Sequence, residues 1–396
     1  MNLKECCLAD LCRICSSKRI FMSEYVSSGI PFFRGKEVSE KAISKDNIST
    51  DLFISNERFQ EIKHKFGAPR IGDILITAVG TIGNVWLVDM EDFYFKDGNI
   101  LWLKDINTDI IDKQYLYYFL KSQQFKNQVE ATLIGSSQKA LLIDELRKIK
   151  IGVPDLKTQK KIVHILSALD QKIELNHQQN STIEKQASAL VQKYIYDEKC
   201  IAKLKEIMSF DNGFAFKSKD YVDSGKYKVI TIKNVQDGLI DSSSAQFITD
   251  YPKDMRDCHK LSVGDVLLSL TGNVGRVGIV FEENLLLNQR VAKVKPKDEN
   301  LLPFLYFFFR KKDFKQKLEA LAKGTAQLNL SPVETLNEKI TYSEQSAFEL
   351  SNRLKPFFEK IVLNNQNNKT LSFIRDSLLP KLMSGETNIE KALTNE

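Results

Sequence analysis

Residues 72–85 read GDILITAVGTIGNV, and residues 264–277 read GDVLLSLTGNVGRV. Both phrases join two β-compatible apolar runs through glycines spaced for a turn. The pattern predicts a β-hairpin in each place, with glycines that serve the backbone rather than a ligand. The Gly272-x-x-Gly275-x-x-Gly278 series is less consistent with a phosphate loop, because such a loop feeds a helix and usually ends in Gly-Lys-Ser/Thr.

The repetition extends beyond the hairpin to almost the whole chain. Three further pairs of segments match at an interval of about 190 residues: YLYYF at 115–119 and FLYFF at 304–308, GSSQ at 135–138 and GTAQ at 324–327, KIELN at 172–176 and KIVLN at 360–364. A unit of that size is therefore written twice, and a protein built in duplicate suggests a target with two parts.

Each copy predicts a module of the α/β (α+β) class. A strand should follow the hairpin near Ile100–Leu103 and again near Val291–Val294. Aromatic-rich helices are predicted at Lys113–Glu130 and Leu301–Lys323, before the Gly-Ser/Thr-x-Gln loop that closes the module.

After each module the apolar spacing alternates between four and three residues, which is the heptad pattern of coiled coils. Two helices of about 60 Å are expected, and Pro356 should kink or break the first turns of the second. The predicted seam consists of Ile162, Leu166, Leu169, Ile173, Asn176, Asn180, Ile183 and Leu190 on the first helix, and Leu354, Phe357, Ile361, Asn364, Asn368, Leu371, Leu378 and Leu382 on the second.

An apolar stripe needs a partner to cover it, and the nearest partner is the other helix. Since a module lies between the helices in sequence, we expect an antiparallel pair with the modules at opposite ends. The seam asparagines should fix its register. The predicted order is a module at 1–157, a helix at 158–197, a module at 198–342, a helix at 343–385 and a tail at 386–396.

Bulk composition restricts the class of protein. The net charge of +6 is mild, so any nucleic-acid contact should come from local clusters rather than a polybasic tail. The beginning of the chain lacks an apolar signal core, and no run of 18 apolar residues suggests a membrane span. Six cysteines in a chain of this length do not indicate a disulfide framework, so a cytoplasmic location is expected.

Catalytic or metal chemistry finds little support in the residue patterns. Pro154-Asp155 with Asp170-Gln171-Lys172 formally fits a nuclease pattern, but the second copy has Thr341-Tyr342 where the Pro-Asp pair should be. A zinc site at Cys6, Cys7, Cys12 and Cys15 would normally need a second spaced pair or histidines. Free thiols are the preferred interpretation, and the sequence predicts a non-catalytic chain without a metal or cofactor of its own.

Polar and basic side chains around the repeated loops remain as candidates for reading a polymer. Arg, Asn and Gln can pair with base edges, whereas Lys, Ser and Thr can contact phosphates. The candidates are Arg34, Lys36, Thr81, Asn84, Ser136, Ser137, Gln138 and Lys139 in the first copy, and Lys217, Lys219, Lys233, Asn234, Asn273, Arg276, Arg290, Lys323, Thr325 and Gln327 in the second.

Together these segments resemble the specificity (S) subunits of Type I restriction-modification systems. The resemblance is carried by the Gly-Asp-strand-Gly-x-x-Gly phrases, the Gly-x-x-Gln loops, and the segments 154–180 and 343–386. It covers nearly the full length. The helix entry of the second copy, Tyr342-Ser-Glu-Gln345, departs from the pattern because it has no proline.

The resemblance implies two target-recognition domains separated by an antiparallel helical spacer, each reading one half of a bipartite site in double-stranded DNA. It also implies that the helices bind two methyltransferase (M) subunits, that restriction (R) subunits join this core, and that S-adenosylmethionine is bound by the methyltransferase partner. The competing hypothesis is a two-module scaffold protein without a DNA role.

Overall fold

The computed structural model describes residues 3–43, 50–133, 140–324 and 328–386. The chain forms two compact units, one comprising residues 1–170 with 373–396 and the other residues 171–372. Each unit contains one copy of the repeat and a part of each of two long helices. The predicted domain limits, which fall at the ends of those helices, stay a prediction.

The module of the first unit contains two four-stranded sheets. The predicted hairpin lies in the first sheet, whose strand order is Arg13–Cys15, Ile100–Lys104, Ile74–Thr77, Val85–Leu87, all antiparallel. The second sheet has the order Tyr25–Val26, Phe53–Ile54, Ile30–Phe33, Tyr94–Phe95. The helices of this module are Leu8–Leu11, Gly35–Ile43, Asn56–Phe66, Lys113–Lys121, Gln123–Leu133, Ile143–Lys148 and the 3-10 helix Met22–Glu24.

The module of the second unit repeats this plan with one extra strand in its first sheet. That sheet has the order Met208–Asn212, Val291–Pro296, Val266–Ser269, Val277–Ile279, Gly238–Leu239. The second sheet has the order Gln246–Ile248, Tyr227–Ile230, Leu285–Leu287, Lys260–Leu261. The helices are Leu204–Ile207, Leu302–Phe309, Lys312–Leu321, Pro332–Leu336 and the 3-10 helices Ser218–Asp220, Asp257–His259 and Glu299–Leu301.

A two-stranded ribbon closes each module. Lys4–Cys7 pairs antiparallel with Lys150–Val153 in the first unit. In the second unit Ile201–Lys203 pairs in the same way with Lys339–Thr341. The chain therefore enters and leaves each module through adjacent strands, and a long helix begins a few residues after the second strand of each ribbon.

The predicted hairpins and the strands after them are confirmed, but each aromatic-rich helix is two helices rather than one. The first is interrupted at Ser122, which is buried. Its backbone N–H donates to the Phe119 carbonyl at 2.9 Å, and its hydroxyl accepts from the Phe125 N–H at 3.3 Å. Ser122 thus caps the following helix, as serine favours. In the second copy the break lies between Phe309 and Lys312.

Two long helices are confirmed: a central helix, Leu156–Asp197, and a distal helix, Glu344–Ser384. The predicted break at Pro356 is wrong, since the distal helix is continuous through it, and the alternative of a kink there stays a prediction. A proline inside a helix costs about 3 kcal/mol. The buried side chains on either side, Leu354 and Phe358, offset this cost by packing into the core of the second unit.

In the first unit, the start of the central helix packs against the end of the distal helix. Ile162 and Leu166 share a buried cluster with Leu379 and Leu382. Arg375 of the distal helix donates from Nη1 to Asp170 Oδ1 at 2.7 Å. The Tyr118 hydroxyl donates to the other oxygen of Asp170 at 2.8 Å, so one carboxylate ties the module to both helices.

In the second unit, asparagines pair across the two helices. Asn176 donates to Asn368 at 2.7 Å, and Asn364 donates to Asn180 at 2.7 Å, so the contacts run antiparallel. Asn180 also donates to Asn365 at 3.1 Å. Every predicted seam residue is buried or half-buried. None of the described helices is long and apolar enough to cross a membrane.

Candidate nucleic-acid interface

The hairpin loop of the first copy, residues 78–84, is anchored by the side chain of Thr77, which is fully buried. The Thr77 hydroxyl donates to the Thr81 carbonyl and accepts from the Asn84 N–H at 3.0 Å. Gly80 and Gly83 have φ values of 78° and 87°, in the left-handed region that favours glycine. The loop backbone is thus fixed, and the side chains of Thr81 and Asn84 project from a set geometry.

The second copy builds the same loop, residues 270–276, on Ser269. This residue is also fully buried, and its hydroxyl donates to the Thr271 carbonyl at 3.2 Å. Gly272 and Gly275 repeat the positive φ values, at 73° and 77°. The shared residues make the loop, and the unshared ones, Thr81 against Asn273 and Asn84 against Arg276, differ in what they offer to a ligand.

Each hairpin loop meets the turn that leads into the neighbouring strand of its own sheet. The Ala78 N–H donates to the Asn99 carbonyl at 2.8 Å in the first copy, and the Leu270 N–H donates to the Arg290 carbonyl at 3.2 Å in the second. These corresponding contacts bring residues 97–99 and 288–290 beside the loops.

A third segment joins each hairpin loop at the residues that follow the Gly-Ser/Thr-x-Gln sequences. Val79 forms a β-bridge with Ala140, and Thr271 forms one with Asn329. We call the three converging segments the loop cluster: residues 78–84, 97–99 and 140 in the first copy, and 270–276, 288–290 and 328–329 in the second. Ser136, Ser137, Gln138, Lys139, Thr325 and Gln327 themselves lie outside the described residues.

The remaining candidates of the first copy differ in how free they are. Thr81 and Lys36 are exposed, and Asn84 is half-buried. Arg34 is committed to Glu37 and Asp51, each at 2.7 Å. The hydrogen bond with Glu37 raises the pKa of Arg34. Burial alone would raise the pKa of Glu37, but the hydrogen bonds from Arg34 outweigh burial and hold that pKa below its usual range. The guanidinium of Arg34 is therefore engaged by Glu37, at the start of the helix Gly35–Ile43, and by Asp51.

In the second copy most candidates are exposed, and Arg276 is half-buried. Arg276 donates to the Gln236 side chain at 2.8 Å. The next residue, Asp237, lies 3.5 Å from Arg310, and Arg310 donates to Glu184 of the central helix at 2.6 Å. A chain of polar contacts thus links the loop cluster to the helix within this unit. The exposed candidates are Lys217, Lys219, Lys233, Asn273, Arg290 and Lys323, the last of which pairs with Glu334.

Asn234 requires a correction, because the structure places it inside the second module. It is only 1% exposed. Its amide oxygen accepts from the Thr231 backbone and hydroxyl, both at 2.9 Å, and its amide nitrogen donates to the Asp241 carbonyl at 2.9 Å. With those hydrogen bonds made, Asn234 shapes a turn and is not available to a ligand.

The residues of the nuclease pattern have structural partners. Asp155 caps the central helix by accepting from the Thr158 N–H at 3.0 Å and from its hydroxyl at 2.7 Å. Asp170 is bound by Tyr118 and Arg375 as described above. The pattern is thus a helix cap and a helix–helix contact.

The N-terminal cysteines contribute to packing. Cys6 and Cys12 are buried, and burial, with a smaller contribution from Cys15, raises the pKa of Cys12 to about 12. A thiol that stays protonated is a poor metal ligand. Within the described ranges, no group of three or more His, Cys, Asp or Glu side chains is placed to hold a metal ion.

Two residues that position the site were not identified from sequence. Asn329 accepts from the Thr271 hydroxyl at 2.9 Å and so fixes one edge of the second hairpin loop. Gln236 holds Arg276. Both lie far in sequence from the loops that they support, so their roles become visible only when the fold brings the segments together.

Comparison with known proteins gives a consistent result. A family model described as the Type I restriction modification DNA specificity domain matches residues 2–185 and again 197–372. A putative type I restriction enzyme specificity subunit from Haemophilus influenzae is 38% identical over 164 residues, which span 41% of this chain and 39% of that protein. The MjaVIII specificity subunit from Methanocaldococcus jannaschii is 26% identical over 71% of this chain and 72% of its own.

Among solved structures, the S subunit of a type I restriction-modification system from M. genitalium is similar in fold. The TM-score is 0.56 at 17% identity, with 97% of this chain and 96% of that chain covered. The twofold match of the family model falls on the two copies of the repeat, each with its own loop cluster and its share of the long helices. The chain belongs to the family of Type I restriction-modification DNA specificity domains and is a non-catalytic specificity subunit.

Proposed function

We propose that each module reads one half of a bipartite site in double-stranded DNA through its loop cluster. The observation that carries this proposal is that the two copies build the loop cluster with corresponding glycines and backbone contacts and differ in the side chains that project from it. The same backbone frame presents Thr81 and Asn84 in one copy and Asn273 and Arg276 in the other. Different side chains on a common frame suit the reading of two different half-sites.

The long helices supply the second part of the proposal, because a bipartite site needs a fixed spacing. Two half-sites read on one face of DNA lie about one helical turn apart, roughly 34 Å. Helices of 42 and 41 residues reach about 60 Å at 1.5 Å per residue, which is enough to span that distance. The paired asparagines hold the helices in one register, as buried polar seam residues do in coiled coils.

The proposed partners follow from a chain that recognises DNA and leaves catalysis to other subunits. We propose that two methyltransferase subunits dock on the helices and that restriction subunits join this core. S-adenosylmethionine would be bound by the methyltransferase subunits, and this chain would need no cofactor of its own. A complex that acts on chromosomal DNA in this way would work in the cytoplasm.

The decisive experiment is to express the chain together with an adenine methyltransferase encoded beside it and to map methylated adenines across the host genome. We expect one bipartite motif with a constant gap. Replacing residues 1–157 with the corresponding module of another family member should then change one half of the motif and leave the other unchanged. A continuous motif, or a swap that alters both halves, would contradict the proposal.

The scaffold alternative makes a different prediction for the same strains. If the chain only holds other proteins together, deleting its gene leaves the methylation pattern of the genome unchanged. A catalytically inactive variant of the methyltransferase provides the matched control, since it abolishes methylation while the complex still assembles.

A further inference from the structure

Each copy carries a short 3-10 helix at the same place, and the two helices are capped in the same way. In the first copy, Met22–Glu24, the Phe21 N–H donates to the Glu24 carboxylate at 2.7 Å. In the second, Ser218–Asp220, the Lys217 N–H donates to the Asp220 carboxylate at 3.1 Å. Tyr-Val follows directly in both copies. The positions therefore correspond one to one.

The side chains at these corresponding positions differ in chemistry. Phe21 and Met22, which we call the apolar tip, are 61% and 84% exposed. The second copy has Lys217 and Ser218 at the same positions and Lys219 one residue later. Lys217 and Lys219, which we call the basic tip, are both exposed. The same local backbone structure thus carries large apolar side chains in the first copy and positively charged side chains in the second.

The exposure of the apolar tip is imposed by the fold. Ile20, directly before it, is buried in the cluster under the second sheet. Glu24, two residues after Met22, caps the turn and accepts from Arg58 at 2.7 Å. Phe21 and Met22 lie between these two fixed residues and are exposed. Side chains of this size held in water gain free energy only when a ligand covers them.

The apolar tip borders the loop cluster of its own module. Arg19 contacts Asp97 at 3.0 Å, and the Ser16 hydroxyl accepts from the Gly98 N–H at 3.1 Å, so the segment before the tip lies along residues 97–99. The basic tip is placed in the same way, since the Gln289 N–H donates to the Phe214 carbonyl at 3.0 Å. Both tips extend the surfaces proposed to meet DNA.

We infer that the apolar tip contacts a base directly, while the basic tip contacts phosphates. Apolar side chains on DNA-binding proteins either wedge against a base face or touch a thymine methyl group. The exposed Lys18, three residues before the apolar tip, would attract a phosphate beside that base. This inference rests on the proposed function and adds a base contact that lies outside the hairpin loops.

The test uses the complex with its methyltransferase and a DNA duplex that carries the mapped site. We expect Phe21→Ala/Met22→Ala to weaken site binding about tenfold or more, in line with the loss of one base–aromatic contact, without changing the salt dependence. The matched variant Lys217→Ala/Lys219→Ala should weaken binding too. Its log–log slope against salt should decrease by about 1 for each lysine. Both affinities are measured by fluorescence anisotropy.

Two DNA substitutions distinguish the kinds of base contact. If the apolar tip touches a thymine methyl group, deoxyuridine at one thymine of the first half-site weakens wild-type binding, and the alanine variant is insensitive to that change. If the tip wedges against a base face, 2-aminopurine at that step brightens on wild-type binding and stays dim with the variant. Either result supports the inference.

Two outcomes would overturn it. The alanine variant could bind the site as tightly as wild type, or it could assemble poorly with the methyltransferase while the assembled fraction binds DNA normally. The second outcome would assign the tip to a protein partner. A chain that yields no bipartite methylation removes the proposed function itself, whereas unchanged site binding by the tip variant removes only the tip contact.

Discussion

A single buried hydroxyl organises the first hairpin loop. Thr77→Val keeps the shape of the side chain but removes the acceptor of the Asn84 N–H and the donor to the Thr81 carbonyl. Leaving such groups without a partner costs about 1–3 kcal/mol. We expect the free energy of unfolding in urea to fall by that amount and the Asn84 amide to exchange hydrogen faster.

Ser269→Ala is the matched control in the second copy. The Ser269 hydroxyl donates to one carbonyl and, unlike that of Thr77, accepts no hydrogen bond from the loop in the part of the chain described here. The effect should therefore be smaller. If the two substitutions cost the same, or if Thr77→Val costs nothing, the hydroxyl of Thr77 does not hold the loop.

For individual residues, the sequence predicted backbone roles better than side-chain roles. The loop glycines were identified correctly, because a left-handed turn between strands leaves a local pattern. The commitments of Arg34 to Asp51 and of Asn234 to Asp241 leave no such pattern. Whether a charged or polar residue holds another part of the chain or remains available to a ligand depends on its neighbours. Those neighbours are known only once the chain is folded.

Within the second unit, the asparagine pair is the feature of the long helices that a mutation tests most directly. Asn176→Leu alone leaves the buried amide oxygen of Asn368 without its donor, and we expect a loss of about 1–3 kcal/mol in the free energy of unfolding. Asn176→Leu/Asn368→Leu removes both polar groups, and such replacements are often neutral or stabilising. The double variant should therefore be more stable than the single one.

Asn367→Leu controls for the change in residue type, because Asn367 is exposed and lies on the same helix as Asn368. Its effect should stay within about 0.5 kcal/mol. Urea unfolding of these variants and of the single variant Asn368→Leu gives the coupling between Asn176 and Asn368. A double variant that loses the sum of the two single losses would show that the asparagines do not act as a pair.

The sequence predicted whole helices and strands correctly wherever a periodic pattern of apolar residues was sustained. The heptads gave both long helices, and the alternation of apolar runs with glycines gave both hairpins. The aromatic helices were predicted too long, because the apolar runs continue on both sides of each break. Ser122 was available as a capping signal, but tertiary packing decides whether a serine in an apolar run ends a helix.

For the molecule as a whole, charge predicts how the chain behaves without partners. A net charge of +6 spread over 396 residues provides few phosphate contacts. We expect the isolated chain to bind duplex DNA weakly, and three or four such contacts would cost about 40- to 150-fold in affinity between 50 and 200 mM salt. Titration by anisotropy at several salt concentrations checks this, and tight, site-specific, salt-insensitive binding by the chain alone would contradict it.

The ribbon that closes each module has a consequence for how such proteins diverge. Because Lys4–Cys7 pairs with Lys150–Val153, and Ile201–Lys203 with Lys339–Thr341, both ends of each module lie side by side. A segment that starts and finishes at one point can lengthen, shorten or be exchanged by recombination without altering the backbone on which it is mounted. Exchange of one module, with a crossover point in each of its two ribbon strands, would then give a gene of this family a new half-specificity.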